Sequence, residues 1–278
     1  MENRLEDTKF IKNIVRDLNE RKHGRFMVVT GAPGDGKSYM ALHMAEVIDP
    51  SFTLDNVAVA KSEEFLDLLD KSMDGSLKSG SVIVLDEAGA GMGAREWQTA
   101  QNKVLAVIFQ VIRKLGLFVI MTLPTWAMLD INARRVTSIY AHAVGIDYKK
   151  ELSSFKIYNV TYNDMFNELG YRKIEDNSGT KIDTWHFRLP EIDLVAYETH
   201  KDESIKWLFD TARDTFEKID NKNNGGNNDS LDMRIEIDLR SGMSVKDVAD
   251  KNKTTIAKVD RANGQLKKHD ALECVCVS

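Results

Sequence analysis

The chain lacks most of what would place a protein outside a reducing, aqueous setting. Its 278 residues include two cysteines, Cys274 and Cys276, both in a short C-terminal stretch. A pair so close supplies no disulfide framework, which predicts a reduced, cytoplasmic protein (host cytoplasm if the source is viral). A share in a metal site is the alternative to an ordinary tail. The first thirty residues contain no basic-then-apolar leader pattern. No apolar run nears the ~18 residues of a membrane span, so no membrane association is expected. An excess of positive charge is missing too: 38 Lys and Arg stand against 43 Asp and Glu, a net charge of −5. That excludes a protein coating nucleic acid by bulk charge, and any such contact must come from a local patch. What is present, 42% hydrophobic and 29% charged residues, suits a folded domain with a substantial core. The length allows one large domain, alone or with a small appendage.

Strand-like apolar runs alternate with helical patterns through the first half. Phe10, Ile11, Ile14, Val15 and Leu18 form one helical stripe within residues 7–21. Strands are predicted at 26–30, 57–60, 82–85, 117–122 and near 139–144, with helices at about 37–47, 63–71 and 100–115. Pro124 ends the fourth strand. This rhythm predicts a parallel sheet covered on both faces. From Lys149 the pattern changes. Residues 155–162 and 184–189 alternate apolar and polar, as in an added antiparallel ribbon, with Asn177, Ser178 and Gly179 as a turn. Ile205, Leu208, Phe209, Ala212, Phe216 and Ile219 then mark one face of a helix expected to close a domain over residues 1–220. Residues 221–230 (NKNNGGNNDS) have the composition of a linker to a module at 231–270. No internal repeat is visible.

Gly31, Ala32, Pro33, Gly34, Asp35, Gly36, Lys37 and Ser38 match G-x-x-x-x-G-K-[ST] at every fixed position, between a predicted buried strand and a predicted helix. Glycines let the backbone fold back and aim N–H groups at phosphate oxygens. Lys37 supplies a cation for the β- and γ-phosphates, Ser38 a hydroxyl for magnesium, and the helix its positive end. The expected ligand is ATP with Mg2+. Residues 82–85 (VIVL) lead to Asp86 and Glu87 at the carboxyl end of a buried strand, where open parallel sheets bind ligands. Asp86 is expected to hold the metal through water. Glu87 can orient and deprotonate a water attacking the γ-phosphate, which points to hydrolysis.

These residues resemble the additional-strand, catalytic-glutamate branch of P-loop ATPases, the RecA-like group, over about residues 24–145. The resemblance implies a three-layer α/β/α sheet in which one strand lies between the loop strand and the acidic strand. Residues 117–122 suit that strand, and Thr122 would be its polar sensor at the γ-phosphate; a strand-terminal threonine capping a turn is the plainer alternative. Within the branch, Asp86-Glu87-Ala88-Gly89, a long helix, an apolar strand and then Ile131-Asn132-Ala133-Arg134-Arg135 look like the FtsK/HerA translocases and the related Zot-like phage ATPases. That similarity implies a homo-oligomer, possible forms including a hexameric ring, working on DNA or in assembly. Members commonly place glutamine where this chain has Thr122, and Zot-like members usually carry a membrane span after the ATPase. Arg134 or Arg135 would serve as an arginine finger on a neighbour's γ-phosphate, or both form an ordinary surface pair. Arg113 is a weaker candidate near a helix end. Gly89, Gly91 and Gly93, followed by Trp97, suggest a mobile substrate loop or a plain loop leading into a helix.

Three helices are predicted in the tail, at about 231–240, 245–251 and 255–268, with Ser244 as an N-cap. Val248 and Ala249, then Ile256 and Val259, have the spacing of a helix-turn-helix and resemble its resolvase or sigma-like variety. Asn252 and Lys253 stand where an apolar residue and a turn glycine are usual. From Lys253 to Lys268 five basic residues face one acidic residue, Asp260, suiting phosphate contact. Thr254, Thr255, Lys258 and Arg261 would face the major groove; a protein-binding or oligomerisation module is the alternative. The expected function is ATP-driven work on DNA: translocation, packaging, or plasmid or viral DNA handling. The rivals are an ATP-switched DNA-binding regulator and a Zot-like assembly ATPase acting on protein. A kinase fits poorly, since no acceptor lid is evident.

Overall fold

Each short apolar run of the first half is a strand in the computed structural model, which describes residues 5–89 and 111–264. Strands β1 (Arg25–Thr30), β2 (Val57–Val59), β3 (Val82–Asp86), β4 (Phe118–Leu123) and β5 (Ile139–Asp147) pair in parallel in the order β2-β3-β4-β1-β5. The fourth strand therefore lies between the loop strand and the acidic strand, with Thr122 opposite Val29 on β1. Helices α1 (Lys9–Asn19), α2 (Lys37–Ile48) and α3 (Ser62–Met73) flank the sheet. Successive strand residues feed opposite layers: Met27 and Val29 pack with α1 and α2, while Phe26 and Val28 pack with α3. Burial on both faces is why β3 and β4 read as unbroken apolar runs and not as alternating ones. The fold is the expected three-layer α/β/α arrangement. Of the helix predicted at 100–115, residues 111–115 are helical; the remainder, with Gly91, Gly93 and Trp97, lies outside the described residues.

The ribbon is continuous with this sheet. β6 (Leu152–Asn163) pairs antiparallel with β5 on one side and with β7 (Glu168–Lys173) and β8 (Trp185–Phe187) on the other. β7 escaped prediction because none of its residues is buried, so it has little apolar alternation to reveal it. The predicted turn at residues 177–179 is present, closed by a bridge between Glu175 and Lys181. A short helix, α4 (Ile131–Val136), is N-capped by Asp130, whose carboxylate accepts from the Ala133 N–H at 2.7 Å.

Two compact units divide the chain, residues 1–208 and 209–278. One helix, α5 (Leu194–Arg240), runs 47 residues without a break. Residues 221–230, expected as a linker, lie inside it. Asparagine and glycine cost at most about 1 kcal/mol each in a helix, and propagation from formed turns is far easier than nucleation. The stripe expected to pack is instead largely exposed: Ile205 and Phe209 are on the surface, as is Ala212, and Leu208 is half-buried. The side chains of Phe216 and Ile219 lie outside the description. Over residues 194–208 of the helix the buried positions are Tyr197 and Ser204. In the second unit α6 (Val245–Lys251) and a helix from residue 256 to at least 264 share a small core of Ile235, Val248, Ala249 and Val259. Ile256, expected in that core, is exposed because it opens its helix. Lys253 adopts the left-handed conformation, φ 51°, at the turn position that glycine would fill without strain.

Candidate active site

The turn from β1 into α2 is shaped by what glycine permits. Gly31 has φ 154°, and a Cβ there would stand 2.6 Å from Ala143 Cβ. Gly36 caps α2 with φ 79°. The Asp35 carboxylate accepts from the Ala32 N–H at 2.8 Å, and the buried Lys37 ammonium donates to the Ala32 carbonyl at 2.8 Å. The eight predicted loop residues thus form one cradle at the start of a helix, with backbone N–H groups and a cation available to an anion.

Beside the cradle, Asp86 is fully buried at the end of β3. One carboxylate oxygen accepts from the Thr122 hydroxyl at 2.6 Å. The other accepts from Ser38 Oγ at 3.1 Å, Tyr197 OH at 2.6 Å and Lys201 Nζ at 2.9 Å. Burial alone would push the carboxyl up, but Lys201 and the Thr122 and Tyr197 hydroxyls outweigh it and hold Asp86 below the usual carboxylate range. Burial likewise opposes the Lys201 charge, and Asp86 and Glu87 together keep that ammonium above its ordinary value. Burial and then the Asp86 charge push the Tyr197 phenol up, so it remains a donor. Glu87 follows with φ 51°. Its N–H donates to Thr122 Oγ1 at 2.9 Å, and its side chain lies 3.2 Å from Lys201 Nζ. Thr122 therefore ties the two carboxylate residues together, giving its proton to Asp86 and accepting from the Glu87 backbone.

Tyr197 and Lys201 were not foreseen. With Ser204 and Leu208 they sit at i, i+4, i+7 and i+11, one helical face. In sequence that face reads as a mixed polar stripe, overshadowed by the more apolar one beside it. The helix is held on α2: Tyr39 OH donates to Glu198 at 2.8 Å, and the Ile192 N–H donates to Glu46 at 2.6 Å.

The predicted arginines lie elsewhere in the chain. Arg134 Nε donates to the Leu129 carbonyl at 2.8 Å and its guanidinium stands over Trp126. Arg135 lies over Tyr162 and bonds Asn132 and Asn167. Arg113 and Arg135 line a cavity of about 710 Å³ with Phe26 and Ser138, at the amino ends of β1 and β5. That is the opposite end of the sheet from Asp86. A Cβ on Gly89 would stand 2.4 Å from Met128. In the second unit Thr255 and Arg261 are exposed, with Thr254 and Lys258 half-buried.

A family model, "Zonular occludens toxin (Zot)", matches residues 42–197, more than half of the 278. The chain belongs to the Zot family. The match spans the acidic strand, the middle strand and the ribbon. The phosphate loop at residues 31–38 precedes it and stands on its own pattern and geometry. This Zot-family chain has the fold of a P-loop NTPase. Among solved structures it is similar to the N-terminal domain of zonular occludens toxin from Neisseria meningitidis (15% identity, TM-score 0.30, covering 55% of this chain and 95% of that one). It is similar also to B204, the DNA-packaging ATPase of Sulfolobus turreted icosahedral virus (12% identity, TM-score 0.35, 54% and 97% covered). A third is the genome packaging NTPase B204 of Sulfolobus turreted icosahedral virus 2 in complex with ATP-gammaS (10% identity, TM-score 0.35, 55% and 98% covered). No curated protein sequence matches. Among the described residues no helix is long and apolar enough to cross a membrane.

Proposed function

We propose that the chain is a magnesium-dependent ATPase that couples hydrolysis to work on DNA. The observation that carries the enzymatic part is the meeting of the Ser38 hydroxyl and the Asp86 and Glu87 carboxylates beside the phosphate cradle. Backbone N–H groups of the loop, those of Gly34 and Gly36 among them, and the Lys37 ammonium bind the β- and γ-phosphates. The residues present fit magnesium: Ser38 Oγ and Asp86 offer hard oxygens 3.1 Å apart, and a cation already lies against both. Among the described residues no group of three His, Cys, Asp or Glu side chains forms a separate metal cage, and a magnesium held with phosphates needs none. When bound, the ion supplies charge neutralisation for the β- and γ-phosphate oxygens. Glu87 receives the proton of the attacking water, and Thr122 keeps Asp86 and Glu87 in register as a positioning residue. Arg134 or Arg135, the latter lining a cavity at the opposite end of the sheet from Asp86, stabilises charge on a neighbour's γ-phosphate, which requires a homo-oligomer such as a ring. Thr254, Thr255, Lys258 and Arg261 contact DNA from the C-terminal module, with Lys253 adding local positive charge.

Membership of the Zot family favours a second reading, an assembly ATPase whose substrate is protein. Steady-state ATP hydrolysis with and without duplex DNA separates the two. For DNA work, addition of DNA raises the rate; a rate indifferent to DNA, with no DNA retained by the protein, overturns it. Glu87→Gln is expected to lower hydrolysis about 10²–10³-fold while nucleotide binding persists. A wild-type rate in that variant means the base is another group.

A further inference from the structure

The Lys201 ammonium lies 3.0 Å from Ser38 Oγ, 2.9 Å from Asp86 Oδ2 and 3.2 Å from Glu87 Oε1. Two of those oxygens, on Ser38 and Asp86, are the ones assigned above to magnesium. Two cations cannot share contacts of that length without strong repulsion. The acceptor count leads to the same point. A carboxylate offers about four lone-pair sites, and Asp86 already receives Thr122, Ser38, Tyr197 and Lys201. The Ser38 hydroxyl commits its proton to Asp86 and a lone pair to Lys201. A metal, or its bound water, must displace a donor to reach Asp86 Oδ2, which already receives three, and meets the Lys201 ammonium at Ser38 Oγ. Thr122 and Tyr197 are short or rigid and fully buried. Lys201 has a flexible four-carbon stem and retains 16% of its side-chain exposure, so it has a way out.

We propose that Lys201 is a resident cation that occupies the divalent-metal position and must leave it when the metal binds. The proposal rests on Ser38 and Asp86 being the metal ligands. It gives the pair a purpose that a simple structural bridge lacks. A buried carboxylate without a partner is strongly destabilising, and Lys201 compensates Asp86 until the ion takes over. The helix carrying it remains docked on α2 through Glu198 and Glu46, so the exchange needs movement of one side chain only. Nucleotide without metal leaves Lys201 seated, and nucleotide with metal expels it. The residue thus sets how much magnesium the site requires.

Titration of the full chain with Mg2+ alone, followed by calorimetry and by thermal melting, tests this without turnover. Lys201→Met is expected to bind Mg2+ at least about tenfold more tightly than wild type. It should melt lower without the ion and recover more on adding it. Lys201→Arg, which keeps the charge, should stay as weak as wild type. Equal Mg2+ affinity in wild type and Lys201→Met overturns the proposal. Asp86→Asn separates the two layers of argument. If it abolishes Mg2+ binding while Lys201→Met changes nothing, the metal site stands and the competition fails. If it leaves Mg2+ binding intact, the metal site itself is misassigned. Should Lys201→Met fail to fold, amine-reactive labelling of wild type, read at the Lys201 peptide by mass spectrometry, replaces it. Labelling should rise several-fold with Mg2+, and an unchanged level overturns the proposal.

Discussion

The parallel half of the sheet and its antiparallel extension differ in how much they hide. β3 and β4 are buried at every residue, whereas β7 has no buried residue and its hairpin tip presents Met165 and Phe166, 84% and 65% exposed. The candidate chemistry is anchored at the carboxyl ends of the buried strands β3 and β4, on Asp86 and Thr122. Asp86 is surrounded by donors whose own backbones are locked by two sheet neighbours or by a docked helix, and a buried charge requires that degree of fixity. The extension holds no such charge, and its polar contacts, such as Arg135 with Asn167, lie in solvent where they contribute little.

The largest expected contrast is in packing. Ile120, fully buried on β4 between Met27 and Val84, should lose about 2–5 kcal/mol on truncation to alanine. Phe166→Ala at the hairpin tip should stay within about 0.5 kcal/mol of wild type in a denaturant melt. A comparable loss at both sites would erase the distinction. Next comes a pair of glycines with similar backbone angles. Gly36 (φ 79°) has Ser153 Cβ and Ile146 Cδ1 at 3.1 and 3.3 Å from the Cβ it lacks, while Gly179 (φ 85°) in the extension has nothing within 4 Å. Both alanine variants carry backbone strain of about 1–3 kcal/mol. Only Gly36→Ala should also weaken binding of a fluorescent ATP analogue, by roughly tenfold for each 1.4 kcal/mol that falls on the loop. Weakening by Gly179→Ala would show the regions to be coupled.

The smallest contrast is in pH dependence. The Arg25 guanidinium bonds Asp17 and holds its carboxyl below the ordinary range; Lys173 and Lys156 do the same for Asp183 in the extension. A depressed folded-state pKa stabilises above the unfolded value of about 3.9 and ceases to do so as pH falls through the folded value. Asp17 is nearly buried and joins α1 to β1, so Asp17→Asn should cost about 1 kcal/mol at pH 7. That difference should shrink in melts as the pH falls below about 3.9 and through the folded value. Asp183 is exposed, and Asp183→Asn should change the melt little at pH 7 or below it.

The same contrast decides what could be read from sequence. The parallel strands announce themselves because double-sided burial demands continuous Val, Ile, Leu and Phe, and the cradle because no other residues make that turn around a phosphate. The middle place of β4 came from resemblance, since nothing in a strand's composition states its neighbours. β7 was missed for lack of apolar alternation. Residues 221–230 have a linker's composition because asparagine and glycine are poor helix formers, yet they lie inside α5. Tyr197 and Lys201 are separated from Asp86 by 111 and 115 positions, and their roles exist only once α5 is laid against α2. No local pattern could announce an ammonium whose partners lie that far away.

β6 begins beneath the cradle, with Ser153 under Gly36, and ends twelve residues after its start at the turn of residues 164–167. At about 3.4 Å per residue that strand spans roughly 40 Å. The turn is therefore the natural attachment point for a reporter. A fluorophore or tag at Phe166 would ride on the same continuous sheet as the nucleotide loop, far enough away to leave the loop's packing untouched.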